Sequence, residues 1–356
     1  NALDANTTAS GNTAMGESSL TANTTGTRNV AVGANALGTA TTANDNTAVG
    51  KSALVANTTG HTNVAVGSLA LDANTTGNYN IALGVNALGA NTTAADNIAI
   101  GTSALGANTT GTNNVAVGQN ALDAVITANN NIAIGVDALS AVSGNQNVGI
   151  GTDALKVNTG ADNTAVGYLA MQANTSGASN IAVGGASLDA NTTGDNNTAM
   201  GYAALTANTT ADDNTAFGYA AMQTNTTGHS NTSVGRSSLN ANTSGSYNTA
   251  VGFNSALANT TGTENVSLGW KSFDQNTTGS TNVAIGNSSL GVATEGDSNT
   301  AVGTAALTSV TTSDNNTAIG YDAGGQITSG ATNTAVGYDS ADGLTTGSNN
   351  MCLGNA

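Results

Sequence analysis

Asn12-Thr13-Ala14-Met15-Gly16 is the first occurrence of a phrase, Asn-x-Ala-x-Gly, that decides how the rest of the chain is read. It returns at Asn29 to Gly33, Asn46 to Gly50 and Asn63 to Gly67, and occurs 21 times in all, ending at Asn350 to Gly354. The anchor glycines stand 17 residues apart, except for two adjacent intervals of 16, Gly135 to Gly151 and Gly151 to Gly167. A fixed period of this size, held along the chain, marks a repeat architecture in which each unit stacks on the next.

The full unit reads Asn-[Thr/Val/Ile]-Ala-[Val/Ile]-Gly-x-x-[Ala/Ser]-Leu-x-Ala-Asn-Thr-Thr-Gly-x-x. Helical periodicity does not survive two glycines and a Thr-Thr-Gly turn in each unit, whereas short β-segments separated by turns fit well. The expectation is an all-β, parallel β-solenoid of about 21 coils, running over 1–356 as one continuous array, uncapped at both ends. At the β-stacking distance, such an array is roughly 100 Å long.

Side-chain placement follows from the pattern. The residue before each anchor glycine is always apolar (Met15, Val32, Val49, Phe217), and the fourth residue after it is nearly always Leu, Met or Phe (Leu20, Leu37, Met171, Phe273). Both rows are expected inside. The leucine slips to Leu257 near Gly252 and gives way to Gly324 and Ala341 in the last coils, where looser packing is expected. The seventh residue after the glycine is Asn in 14 coils and aliphatic or Ala elsewhere, Val142 among them. It is expected inside as a ladder of amides, which would keep the Asn-Thr-Thr sequons from carrying glycans. Both short coils lose their residue at this turn, so the Thr-Thr-Gly corner is expected outside.

Because strand side chains alternate, inward Val and Ile would put the strand Asn and Ala outside. A row that small and uniform suggests a surface pressed against another copy of the chain. On this assignment an aspartate at Val251 would disrupt the stack.

Five basic residues (Arg28, Lys51, Lys156, Arg236, Lys271) face 21 acidic ones, for a net charge of -16. That balance argues against nucleic acid and anionic membrane surfaces as partners. No apolar run approaches the length of a membrane-spanning helix, and proline is absent, as ladders of backbone donors require. Cys352 is the only cysteine and stands where 17 coils have Ala, so it reads as a small apolar residue.

The Asn-x-Ala-x-Gly-x-x-Ala-Leu phrase resembles the head repeats of trimeric autotransporter adhesins and related repeats of bacteriophage tail fibres. Asn97-Ile98-Ala99-Ile100-Gly101 and Asn131-Ile132-Ala133-Ile134-Gly135 come closest. The resemblance implies a left-handed β-roll, three chains side by side, and attachment at an extracellular cell or virion surface. Two departures stand out: the coil is longer, with an added Asn-Thr-Thr-Gly corner, and no stalk, anchor or chaperone-like domain is expected within these 356 residues.

Little in the chain suggests catalysis. His61 and His229 lie on exposed turns with no partner expected, and no His or Lys is placed to activate a Ser or Thr. No cofactor is expected. Acidic residues gather before the repeat's Asn (Asp45, Asp96, Asp162, Asp195, Asp212, Asp213, Asp297, Asp314). Stacked carboxylates there admit calcium, although the nonapeptide of calcium-binding β-rolls is missing. The candidate partner-binding surface is an aromatic stripe just after the anchor glycine: Tyr168, Tyr202, Tyr219, Phe253, Trp270, Tyr321 and Tyr338. Such a stripe stacks against sugars or another protein, or else covers a strand edge. The expected function is a structural and adhesive extracellular fibre that binds copies of itself, as a trimer or filament, and a host-surface glycan or protein. The alternatives are a subunit of an end-to-end filament and an ice-binding solenoid using its Thr rows.

Overall fold

The computed structural model describes residues 1–141 and 143–355, so Val142 lies outside the described residues. The chain divides into two compact units, Asn1–Gly177 and Ala178–Ala356. The first carries β1 (Thr13–Met15), β2 (Val30–Val32), β3 (Thr47–Val49), β4 (Val64–Val66) and β5 (Ile81–Leu83). It continues through β6 (Ile98–Ile100), β7 (Val115–Val117), β8 (Ile132–Ile134), β9 (Val148–Ile150) and β10 (Thr164–Val166). The second begins with β11 (Ile181–Val183), β12 (Thr198–Met200), β13 (Thr215–Phe217), β14 (Thr232–Val234), β15 (Thr249–Val251) and β16 (Val266–Leu268). It ends with β17 (Val283–Ile285), β18 (Thr300–Val302), β19 (Thr317–Ile319), β20 (Thr334–Val336) and β21 (Met351–Leu353). Within each unit every strand pairs in parallel with the next, so the fold is a parallel β-solenoid with one strand per repeat. No helix occurs among the described residues.

The register repeats without slippage. Ala99 pairs with Ala116 at one 17-residue step, and Ala133 pairs with Gly149 across a 16-residue step. The shorter coils therefore absorb their deletion outside the strand.

The anchor glycine is fixed by close approach. Gly33 has φ 132°, and a Cβ there would lie 2.6 Å from the carbonyl oxygen of Gly50 in the next coil. A side chain would force the two coils apart while occupying a conformation that L residues avoid.

The strand's inside and outside are the reverse of the expectation. Ala31, Ala99 and Ala216 are fully buried, whereas the residues before and after each strand alanine are only half-buried or exposed. Val251, expected in the core, is 37% exposed. The reason is volume. Each coil is so slender that the strand's middle residue abuts the leucine and the Ala/Ser of the adjoining corner. Even at Gly149, an added Cβ would come within 3.0 Å of Leu139 Cγ. A methyl, a hydroxymethyl or a thiol is the most that this row holds in other coils, and at Gly149 even a Cβ is tight, so Ala, Gly, Ser and Cys share the site. The small row is thus explained inside one chain, and the argument for a neighbouring copy built on it falls.

The leucine row is inside as expected: Leu20, Leu37, Leu105 and Met171 are fully buried. The backbone there is left-handed, with φ 50° at Leu37. That conformation costs an L residue about 1 kcal/mol, while full burial of a leucine stabilises by about 2 kcal/mol. At Gly252 the backbone keeps its phase. Ala256 takes the inner left-handed position, Leu257 stays outside the core, and the fully buried Phe273 one coil on occupies the larger volume. Beside them, Ser255, Ser267 and Ser272 form a buried hydroxyl cluster with Oγ–Oγ distances of 2.7 Å and 2.6 Å. At Gly324 an added Cβ would meet Leu307 and Ile327 at 3.0 and 3.1 Å, so those side chains already fill the space.

Two asparagine ladders complete the interior. The strand Asn is buried, not outside. Asn63 Nδ2 donates to the Gly77 carbonyl (2.8 Å), and Asn63 Oδ1 accepts the backbone N–H of Asn80 (2.9 Å). The second ladder is the expected one: Asn74 Nδ2 donates to Asn57 Oδ1 and Asn91 Nδ2 to Asn74 Oδ1, both at 2.9 Å. Amides paired in this way satisfy buried polar groups that would otherwise destabilise the coil. They also leave the asparagines of these sequons shut away from a glycan. The corner threonines stand outside, and many donate to the next coil, as Thr75 Oγ1 does to the Thr92 carbonyl (3.0 Å).

Candidate binding face

With alanine inside, each strand turns two side chains outward, and the residue after the anchor glycine adds a third row beside them. In β4–β9 both strand rows are aliphatic: Val64, Ile81, Ile98, Val115, Ile132 and Val148 in one, Val66, Leu83, Ile100, Val117, Ile134 and Ile150 in the other. In β12–β15 the first row is Thr198, Thr215, Thr232 and Thr249. Among the described residues none of these hydroxyls meets a hydrogen-bond partner in the protein.

The third row holds the aromatic stripe. Tyr168 belongs to the first unit, where it is 63% exposed. The other six lie in the second unit. Tyr202 and Tyr219 stack with centroids 5.7 Å apart, and Tyr321 and Tyr338 stack at 5.2 Å. Phe253 and Trp270 occupy successive coils and are 38% and 50% exposed. The row is held by backbone bonds in its own register: the Tyr202 carbonyl accepts from Ala220 N–H (3.0 Å), and that of Phe253 accepts from Lys271 N–H (3.0 Å).

Two cations that sequence reasoning did not place on this face belong to it. The Arg236 guanidinium lies over the rings of Tyr219 and Phe253, 5.6 and 5.7 Å from their centroids. Lys271 Nζ lies 4.9 Å from the Trp270 centroid. These are cation–π distances. The available signal was phase: Arg236 stands between Tyr219 and Phe253 at the same position of the repeat.

The histidines do have partners, contrary to expectation. His61 meets Tyr79 edge-on at 5.1 Å, and His229 meets Tyr247 at 4.9 Å. Each ring also meets the hydroxyl of the next residue, His61 Nδ1 at Thr62 Oγ1 and His229 Nδ1 at Ser230 Oγ, both at 3.3 Å. The acidic positions two before the strand Asn cap the backbone instead. Asp195 Oδ1 accepts from Ala178 N–H (2.7 Å) and Asp297 Oδ1 from Ser280 N–H (2.7 Å), as Asn78 Oδ1 does from His61 N–H (2.8 Å). Among the described residues no three His, Cys, Asp or Glu side chains cluster as metal ligands would.

Electrostatics vary with local burial. Hydrogen bonds from Arg28 (2.6 and 2.8 Å) hold the exposed Asp45 below the ordinary carboxylate range. Partial burial raises Asp72, Asp189 and Asp274, and burial followed by repulsion from Asp137 raises Asp123. Asp322 is raised by burial and then by Asp339 and Asp342.

No protein-family model matches the chain, and no curated protein matches it.

Proposed function

We propose that the chain is a structural and adhesive extracellular fibre, of the kind carried on a cell or virion surface, and not an enzyme. The observation that carries this is the aromatic row of the second unit: three pairs of exposed rings, each pair in successive coils and fixed in height by the backbone ladder beneath it. A solenoid supplies repeated, rigid presentation at low sequence complexity, because each coil specifies the next. The resemblance to adhesin-head and tail-fibre repeats supports the same reading, and is the sole support for a trimer and for an extracellular location.

The test is adhesion of beads coated with the chain to surfaces bearing defined glycans or proteins. The control replaces Tyr202, Tyr219, Phe253 and Trp270 with Thr, a residue the same position accepts at Thr102, Thr152 and Thr304. The expected result is at least a tenfold loss of adhesion with unchanged thermal unfolding. Equal adhesion by both proteins would refute the reading. Light scattering of the same samples separates a discrete trimer from long polymers, which would favour the end-to-end filament.

A second reading, ice binding, draws on the unpartnered hydroxyls of Thr198, Thr215, Thr232 and Thr249 in successive coils. Thermal hysteresis above that of an equimolar control protein would favour it.

A further inference from the structure

We infer that the Tyr202–Trp270 segment of the second unit is a binding site for an extended anionic glycan, with Arg236 gripping a carboxylate or sulfate group. The inference rests on the adhesive reading and names its ligand class.

In a chain of net charge -16 with five basic residues, a positive group is expected to sit against a carboxylate. Arg28 and Lys156 do so, at 2.6 and 2.7 Å from Asp45 and Asp153, while Lys51, Arg236 and Lys271 form no ion pair among the described residues; of these three, Arg236 alone lies between two aromatic rings. The side chain of Arg236 meets neither a carboxylate nor a hydrogen-bond acceptor among the described residues. It is exposed, yet held between the rings of Tyr219 and Phe253. A guanidinium with no acceptor of its own in the protein keeps its N–H donors free for a ligand, and its planar fork can grip an oxyanion with two bonds. Much of the ordering cost of a flexible arginine is met before any ligand arrives.

The neighbours define the rest of the ligand. Tyr202 and Tyr219 lie nearly parallel, 16° apart, so each ring covers part of its neighbour's face. Edges and phenol hydroxyls are therefore offered more than stacking faces. Thr198, Thr215, Thr232 and Thr249 supply a parallel line of free hydroxyls, with Met200, Phe217, Val234 and Val251 between the two lines. A ligand lying here meets hydroxyl groups on both sides of an apolar strip. Lys271 stands two coils from Arg236, about 10 Å along the stack, close to the length of an extended disaccharide. A chain with an acid on every sugar, or on every second one, would present an anion to each cation. Asp274 lies near Lys271 and weakens the field there, which leaves Arg236 as the stronger contact.

A peptide fits less well. Peptides bind sheets by adding a strand to an open edge, and this surface is a sheet face whose main-chain groups are already used in the ladder. A hydroxyl-rich polyanion needs no main-chain partner. The global negative charge repels polyanions at long range, so binding of one reports on this local site.

The experiment is calorimetry on the full chain with oligogalacturonate, a neutral oligosaccharide from dextran, and polyglutamate. Arg236→Gln is the key variant, and Gln119 at the same position shows that the coil accepts glutamine. Oligogalacturonate should bind, dextran and polyglutamate should not, and Arg236→Gln should weaken binding at least tenfold with unchanged unfolding. Absence of oligogalacturonate binding, equal binding of the neutral sugar or of polyglutamate, or an unaffected Arg236→Gln variant would each overturn the inference. If Arg236→Gln leaves surface adhesion intact while the four-aromatic variant abolishes it, the glycan inference fails and the adhesive reading stands. If neither changes adhesion, both fail.

Discussion

Coils β4–β9 of the first unit and β12–β16 of the second share an interior and differ outside. Inside, both have a small residue at mid-strand, one large apolar residue or its compensated equivalent, and two buried rows rich in asparagine, the second of which admits Val125 after β7. Outside, β4–β9 present two aliphatic rows with Ser68, Val85, Thr102, Gln119, Val136 and Thr152 beside them. In β12–β16 the outward rows are mainly hydroxyl and apolar, and the adjoining row holds four aromatics and an arginine. The coil's narrow section constrains everything that faces inward. The outward positions carry no such constraint, so the information about a partner resides there.

The largest expected effect tests the sameness of the interiors. Asn63→Ala and Asn214→Ala each leave the next coil's buried amide, at Asn80 or Asn231, without its acceptor. Each should destabilise by about 3 kcal/mol, read by denaturant unfolding, with amide exchange accelerating around the altered coil. A cost confined to one unit would break the comparison.

A smaller effect concerns the outer rows. Val251→Asp places a carboxylate on an exposed position and should change stability by no more than about 0.5 kcal/mol, leaving amide exchange at Gly252 unaltered. Replacing Thr198, Thr215, Thr232 and Thr249 with Val should be equally mild, yet should raise binding of an apolar dye by making this face resemble β4–β9. Strong destabilisation by either change would put these side chains back inside.

The smallest effect is on pH dependence. Asp72, Asp123, Asp189, Asp274 and Asp322 have folded-state values above the ordinary range, so between that range and their raised values the folded chain binds more protons than the unfolded one. Their effect on stability therefore improves as pH falls from neutrality toward about 4. Asp45 acts in the opposite sense, losing its stabilisation as pH falls, but its pair with Arg28 lies on the surface, where solvent screens it. A modest rise in the thermal midpoint on acidification is expected, and a steady fall would contradict the burial of these groups.

The repeat, the parallel stacking, the leucine row, the Asn74-type ladder and the aromatic stripe were all legible from phase alone. A period of 17 residues with a glycine anchor admits few other solutions. Phase also showed that the rows on either side of the strand alanine share one face and the alanine takes the other. It did not show which face is interior, because hydrophobicity argues for Val and Ile while the space available argues for Ala. Only the tertiary structure decided it: Leu139 lies so close to Gly149 that even a Cβ is tight at mid-strand. The same step placed the strand asparagines inside, removed the small-residue argument for a partner chain, and brought Arg236 between two rings. Sequence periodicity determined the order and spacing of the rows, and packing volume, which depends on how tightly the chain turns in three dimensions, determined which rows the protein shows to the outside.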